Sequence, residues 1–316
     1  MTWNFLAAFA AVVAFISALR VMRTGLEGLA NGRLPQLLRR FAGTPTRGII
    51  TGTALATVLQ SSSAVTAITV GLVAGGNLLF RDAVGVVLGA NVGTTLTPQL
   101  LTFPLWNLAV PCLAVSIAGL IAARSLHRPT LVPPSLALAG FAGILISLQV
   151  LVQSLHPVAS MPWFANWLET AGDNPWLALL TGVVTSAMLQ SSTATTVITM
   201  ALSMDGLIPI EGAIAIVLGA NVGTCVTSVI AAIGQPRSAG QVALAHVLLN
   251  VAGAVLGVLF LEGFGDVIVA LGGNAARQVA NAHTVFNIVC TLLAWPFIRQ
   301  FSALVEWLLP DKRRAR

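Results

Sequence analysis

Val87-Leu88-Gly89-Ala90-Asn91-Val92-Gly93-Thr94 occurs a second time, letter for letter, as Val217-Leu218-Gly219-Ala220-Asn221-Val222-Gly223-Thr224. Upstream of each copy a second motif also occurs twice. Leu59-Gln60-Ser61-Ser62-Ser63-Ala64 returns as Leu189-Gln190-Ser191-Ser192-Thr193-Ala194, and Thr51-Gly52 before it returns as Thr181-Gly182. The offset is 130 residues for both motifs (221 − 91 and 190 − 60). Two unlike motifs in one register mean duplicated structure; shared apolar composition does not produce an eight-residue identity.

Around these motifs the chain is 56% hydrophobic and only 8% charged, with a mean hydropathy of +0.90. Soluble domains carry about a quarter charged residues. So little charge cannot cover a water-facing surface, so lipid is the solvent for most of the chain. Apolar runs at 3–19, 105–123, 131–152, 242–261 and 285–298 agree. The net charge of +6 does not indicate nucleic acid, because the basic residues fall in short loops between apolar runs. There they act as topology signals toward the cytoplasmic leaflet. Cys112, Cys225 and Cys290 are odd in number and lack metal-like spacing, so neither a disulfide framework nor a zinc site is expected. No basic residue precedes the first apolar run, whereas Arg20 and Arg23 follow it. That order predicts a retained first helix with its N-terminus outside.

Orientation follows from counting crossings. Spans at 82–101, 104–123 and 131–152 lie between the two copies. Each Gln-Ser-Ser segment either crosses as well or turns back on its own side. A crossing at Gln60 would place Arg47 and Arg81 on opposite sides. With hairpins, Arg23 and nearly every other basic residue falls inside, and Arg277 alone falls outside. Three crossings then separate the copies and invert one relative to the other. The expected fold is an all-α polytopic membrane protein of two inverted structural repeats, each with a re-entrant helical hairpin and a broken transmembrane helix. The expected organisation is a first helix and inner-face amphipathic segment (1–47), repeat 1 (48–155), an outer-face interfacial linker (156–174), repeat 2 (175–309) and a basic cytoplasmic tail (310–316). Trp163, Phe164 and Trp167 suit the linker to the headgroup boundary.

The chemistry rests on hydroxyls and amides at bilayer depth, where each unsatisfied polar group costs several kcal/mol. Ser61, Ser62 and Ser63 are good N-caps for a half-helix starting near Ala64, and Ser191, Ser192 and Thr193 repeat them. A helix N-terminus offers free N–H groups and about half a positive charge. Two such tips meeting near the midplane make a donor-rich pocket with little or no fixed cationic charge, suited to a small oxyanion. The oxygens of Gln60, Gln190, Asn91, Asn221, Thr94, Thr95 and Thr224 are hard, neutral ligands for Na⁺. Gly52, Gly93, Gly182 and Gly223 mark places where a helix breaks or packs closely. His246 with Asn250, and His283 with Asn287, share helix faces at i, i+4 spacing and read as interhelical hydrogen-bonding pairs. No activated serine is evident, so an enzyme is not expected.

The paired Gln-Ser-Ser-Ser/Thr and Gly-Ala-Asn-Val-Gly-Thr motifs, with Asn281-Ala282-His283-Thr284-Val285-Phe286-Asn287 near the end, resemble those of the type II sodium-dependent phosphate cotransporters and their bacterial relatives. The resemblance covers nearly the whole chain. It implies sodium-driven symport of inorganic phosphate by alternating access, in a homodimer, with Na⁺ as the cotransported ion and no cofactor. Gln60, Ser61, Ser62, Ser63, Gln190, Ser191, Ser192 and Thr193 would form the phosphate site. Gln60, Asn91, Thr94, Thr95, Gln190, Asn221 and Thr224 would bind sodium. Two departures stand out: Thr193 replaces a serine, and Cys225 stands where the first copy has Thr95. The chain stops at Arg316, so regulation of the PhoU type would need a separate partner. The expected location is a bacterial inner membrane, with the C-terminus cytoplasmic. A passive anion channel, a phosphate exporter, a carrier of another tetrahedral oxyanion and a non-transporting sensor remain as alternatives.

Overall fold

The computed structural model describes residues 2–30, 32–159, 161–204 and 206–310. Among these the chain is helical, with no strand. The first seven helices are α1 (Thr2–Leu29), α2 (Leu34–Phe41), α3 (Pro45–Leu59), α4 (Ser62–Ala74), α5 (Phe80–Thr94), α6 (Leu96–Leu101) and α7 (Ala109–Ser125). The next seven are α8 (Val132–Ala159), α9 (Pro162–Asp173), α10 (Pro175–Leu189), α11 (Ser192–Met204), α12 (Ile210–Gly223), α13 (Val226–Ala232) and α14 (Arg237–Leu259). Then come α15 (Leu261–Ala270), α16 (Ala275–Ala294) and α17 (Ile298–Leu308). The 130-residue register reappears in the elements: α1 and α8, α3 and α10, and α4 and α11 begin and end 130 residues apart.

Seven stretches among the described residues are long and apolar enough to cross a membrane: Leu6–Leu29, Phe80–Leu101, Leu105–Ser125, Pro129–Ser154, Ile210–Ala232, Arg237–Leu259 and Ala275–Leu308. The motif-bearing helices α3 and α4 are different. They have 15 and 13 residues, or about 22 and 20 Å at 1.5 Å per residue, against a hydrocarbon core of about 30 Å.

Small residues fix how these short helices sit. A Cβ on Gly52 of α3 would overlap the Val86 carbonyl of α5, and one on Gly89 of α5 would overlap the Ile49 carbonyl of α3. Gly182 against Ile216 and Gly219 against Leu179 repeat the arrangement between α10 and α12. Such backbone-to-backbone packing is how helices associate where lipid removes the hydrophobic drive. Close approach, not breakage, is therefore the role of Gly52 and Gly182. The breaks come at Thr95, between α5 and α6, and at Thr224-Cys225, between α12 and α13.

The buried core forms two clusters. One joins Phe15 of α1 and Ile144 and Leu151 of α8 to Val197 of α11, Ile214 of α12 and Ala282 of α16. The other joins Leu38 of α2, Leu59 of α3, Val65 of α4 and Val86 of α5 to Val242 of α14 and Val305 of α17. Helix α14, which follows the second motif copy in sequence, thus packs with the first copy.

Some expectations are sharpened. Within the segment expected to be amphipathic, α2 has Leu34 and Leu38 buried and Arg39 and Arg40 exposed. Within the linker α9 is helical, but the side chains of Trp163, Phe164 and Trp167 lie outside the described residues, as do residues 311–316 of the tail. Arg277, the one outlier of the charge count, is held in place. Its Nη1 donates to Gln99 Oε1 at 3.2 Å, and its guanidinium lies 4.5 Å from the Phe103 ring centroid.

Candidate functional site

Each Gln-Ser-Ser segment is a break between two short helices. Gln60 ends α3 at φ 54°, ψ 32°, and Gln190 ends α10 at φ 53°, ψ 33°. With His127 these are the only non-glycine residues at positive φ among those described. A left-handed non-glycine residue costs about 1–3 kcal/mol, and such strain collects at functional sites. The next residue caps the following helix. Ser61 Oγ accepts the Ala64 amide at 3.1 Å and Ser191 Oγ accepts the Ala194 amide at 3.2 Å, each contributing about 1 kcal/mol. Of the three hydroxyls expected as caps at each tip, the structure selects the first. The hydroxyls of Ser62 and Ser192 have no partner among the described residues, although both residues are buried. Thr193 is also buried. The first-turn amides of α4 and α11 have no intrahelical acceptor, as at any helix start.

The two tips meet, and what joins them is a cation. From α1, Arg23 donates from Nε to the Gln60 carbonyl at 3.0 Å and from Nη2 to Ser191 Oγ at 3.1 Å. This corrects two expectations. Arg23 is not an inner-face topology signal, and the space between the tips does carry a fixed positive charge. Arg23 lies within the apolar stretch Leu6–Leu29 and has no ion-pair partner among the described residues. Its guanidinium therefore faces the starts of two helices, each bearing about half a positive charge. The ends of α3 and α10 bring the opposite partial charge to the same breaks, so the guanidinium is the net positive charge there, and with no acid bonded to it among the described residues the arrangement favours an anion. An ionisable residue inside an apolar span is by default a functional candidate; that signal was available in the sequence.

The tips are not equivalent. Gln60 is half-buried, with Nε2 donating to the Thr57 carbonyl at 2.6 Å and Oε1 accepting the Thr97 hydroxyl of α6. Gln190 is exposed. Across the copies, the Ser63 hydroxyl lies 3.3 Å from the Thr227 hydroxyl of α13 and donates to it. Thr97 and Thr227, which sequence reasoning did not single out, are again 130 apart (227 − 97).

The remaining sodium candidates sit in the broken helices. Thr94 Oγ1 bonds the Asn91 carbonyl at 3.1 Å and Thr95 Oγ1 the Val92 carbonyl at 2.8 Å. Thr224 is buried, and its carbonyl accepts the Thr227 hydroxyl at 2.8 Å. The motif asparagines bond outward to other helices. Asn91 Nδ2 donates to Asn250 Oδ1 of α14 at 3.2 Å, and Asn287 Nδ2 of α16 donates to Asn221 Oδ1 at 3.1 Å. Asn250 and Asn287 thus make the interhelical bonds expected of the His-Asn pairs. His246 Nδ1 lies 3.0 Å from Ser228 Oγ, while neither ring nitrogen of His283 has a partner. The Cys225 thiol is buried, 3.4 and 3.5 Å from the Asn221 and His246 carbonyls, either of which can accept its one proton. The departure from Thr95 is thus filled by sulfur contacts.

The chain is similar in sequence to known proteins. The family described as Na+/Pi-cotransporter matches twice, over residues 14–153 and 144–274. The two matches begin 130 residues apart (144 − 14), in the register of the motifs. The uncharacterized protein YqeW of Bacillus subtilis is 30% identical over 307 residues, 96% of this chain and 97% of that protein. YjbB of Escherichia coli, provisionally named an inorganic phosphate export protein, is 24% identical over 96% of this chain and 55% of its own length. Human sodium-dependent phosphate transport protein 2C is 36% identical over 102 residues, 31% of this chain and 16% of that protein. No solved structure matches.

Proposed function

The chain belongs to the Na+/Pi-cotransporter family, and from that premise we propose that it carries inorganic phosphate across the membrane together with sodium, by alternating access. The family is one of phosphate transporters, not of enzymes. The observation that carries the reading is the meeting of two capped helix starts about Arg23, with the Ser62 and Ser192 hydroxyls free to bond an oxyanion.

In this reading Gln60, Ser61, Ser62, Ser63, Gln190, Ser191, Ser192 and Thr193 surround the phosphate. Asn91, Thr94, Thr95, Asn221 and Thr224 supply sodium ligands with the two glutamines. The 13- and 15-residue helices turn back at Gln60 and Gln190 as re-entrant hairpins, being too short to cross singly. The element register supports units α1–α7 and α8–α14, with α8 opening the second. Three crossings (α1, the α5–α6 span and α7) then invert one unit against the other, with the N-terminus outside and the C-terminus cytoplasmic in a bacterial inner membrane. A homodimer and a separate PhoU-like regulator complete the expected assembly. An inside-negative potential opposes uptake of an anion by about 2.3 kcal/mol per charge per 100 mV, so inward transport needs a cotransported cation.

The test is labelled phosphate uptake into proteoliposomes under an inward sodium gradient, against an equal choline gradient. Uptake above equilibrium is expected with sodium alone. Equal, non-concentrative flux in both would replace the carrier by a passive pathway. The name of the Escherichia coli relative favours export as a second reading, and sodium-dependent efflux from phosphate-loaded vesicles would assign it.

A second prediction uses the strained glutamine. Glycine takes φ near +53° without strain, so Gln190→Gly should match or exceed the parent in thermal stability, by up to about 1 kcal/mol. Phosphate uptake should nevertheless fall, because the exposed side chain is gone. A variant that transports normally would remove Gln190 from the site.

A further inference from the structure

We propose that Arg23 is the counter-charge of the transported anion, a wall of the binding site supplied by α1, a helix that carries neither repeated motif. The inference rests on the phosphate reading and deepens it. The guanidinium has five N–H donors in a fixed fork. Two are engaged, with the Gln60 carbonyl and Ser191 Oγ, which leaves three for a ligand between the tips. The groups around it ask for negative charge. The starts of α4 and α11 are electropositive and the ends of α3 and α10 beside them electronegative, so Arg23 is the net charge of the gap, and no carboxylate pairs with it among the described residues. Glu27, one turn further along α1, is exposed and acts on Arg23 through space, beyond ion-pair distance. The Ser62 and Ser192 hydroxyls, without partners among the described residues, stand at the first residue of each helix, within two residues of the groups that Arg23 bonds.

A tetrahedral oxyanion offers two oxygens to the fork, with the geometry that makes arginine–phosphate pairs bidentate. Doubly charged hydrogen phosphate beside one arginine keeps a negative charge, which a cotransported cation offsets. In the empty protein Arg23 ties one tip to the other through its two bonds. An arriving anion takes over the bond to Ser191 and so couples loading of the site to separation of the tips.

The experiment is equilibrium binding of labelled inorganic phosphate, in sodium, to the purified full chain. The variants are Arg23→Gln, Arg23→Lys, Arg23→Ala and Arg20→Gln, with thermal midpoints recorded for each. Arg23→Gln should raise Kd at least about a hundredfold, the scale of losing one partner of a desolvated charge pair. Arg23→Lys should recover at least about tenfold of that loss, because the charge returns without the fork. Methylguanidinium should restore part of the binding to Arg23→Ala, a rescue that a merely structural role would not allow. Arg20, exposed on the same helix, should be replaceable without effect. Wild-type binding with Arg23→Gln within about threefold of it overturns the proposal, as does loss in both Arg23→Gln and Arg23→Lys with no rescue of Arg23→Ala. Absence of phosphate binding by the wild type overturns the phosphate reading itself, and the inference with it.

Discussion

Phosphate uptake is expected to fall about ten- to hundredfold when Ser62 or Ser192 is replaced by alanine, with stability unchanged to within about 0.5 kcal/mol. The magnitude is that of a hydrogen bond to a charged group, about 1.5–3 kcal/mol. The unchanged stability follows from the local structure. Both hydroxyls lack partners among the described residues, so removing them breaks no bond there. The adjacent positions behave differently. Ser61→Ala and Ser191→Ala each lose a cap worth about 1 kcal/mol, and Ser191→Ala also frees Arg23 from one of its two bonds. Uptake into proteoliposomes, paired with thermal midpoints of the purified variants, reads both quantities. Normal uptake in Ser62→Ala or Ser192→Ala would move the substrate away from the helix starts.

The largest effect on stability belongs to Gly219→Leu. A Cβ at this position would overlap the Leu179 carbonyl of α10, a backbone atom that moves only with its helix. Helices α10 and α12 would separate, and Gln190 and Ser191 at the end of α10 would move with them. The expected destabilisation exceeds about 4 kcal/mol, the range reserved for severe overpacking and broken networks. No monodisperse protein should survive extraction and size-exclusion chromatography. Gly71→Ala is the control, because a Cβ there meets nothing within 4 Å. In that helix interior alanine should stabilise by up to about 1 kcal/mol. A well-folded Gly219→Leu protein would show that the α10–α12 contact tolerates separation.

The motifs were legible because lipid makes polar residues conspicuous. Gln60 and Gln190 stood out as amides in apolar surroundings, and the serines after them announced a helix start. The duplication was legible from register alone, and the family matches start in the same register. Arg23 was misread because a lone arginine at the end of an apolar run has two physical meanings. It either stops at the headgroups or continues inward with the helix, and only the length of α1, which runs on to Leu29, separates them. The packing of α1 on α8 was not legible either. Neither helix carries a strong apolar stripe along its length, so no periodicity marks the face they share. The outward bonds of Asn91 and Asn221 depend on which helix lies beside them, and that is a property of the assembled bundle.

The bonds made by α16 have a consequence for the order in which the protein is finished. Arg277, Asn281 and Thr284 all contact Gln99, between 178 and 185 residues earlier in the chain. Asn287 reaches Asn221, and the Thr291 hydroxyl reaches the Leu88 carbonyl. Synthesis proceeds from the N-terminus, so Gln99 leaves the ribosome long before any of these partners. Until α16 arrives, Gln99, Asn221 and the Leu88 carbonyl lack the partners they have in the finished chain. A nascent chain halted before α16 is therefore a substrate for the chaperones and proteases that patrol the bilayer, however well its first half has folded. Emergence of α16 is the step at which the cell can tell a finished molecule from an interrupted one.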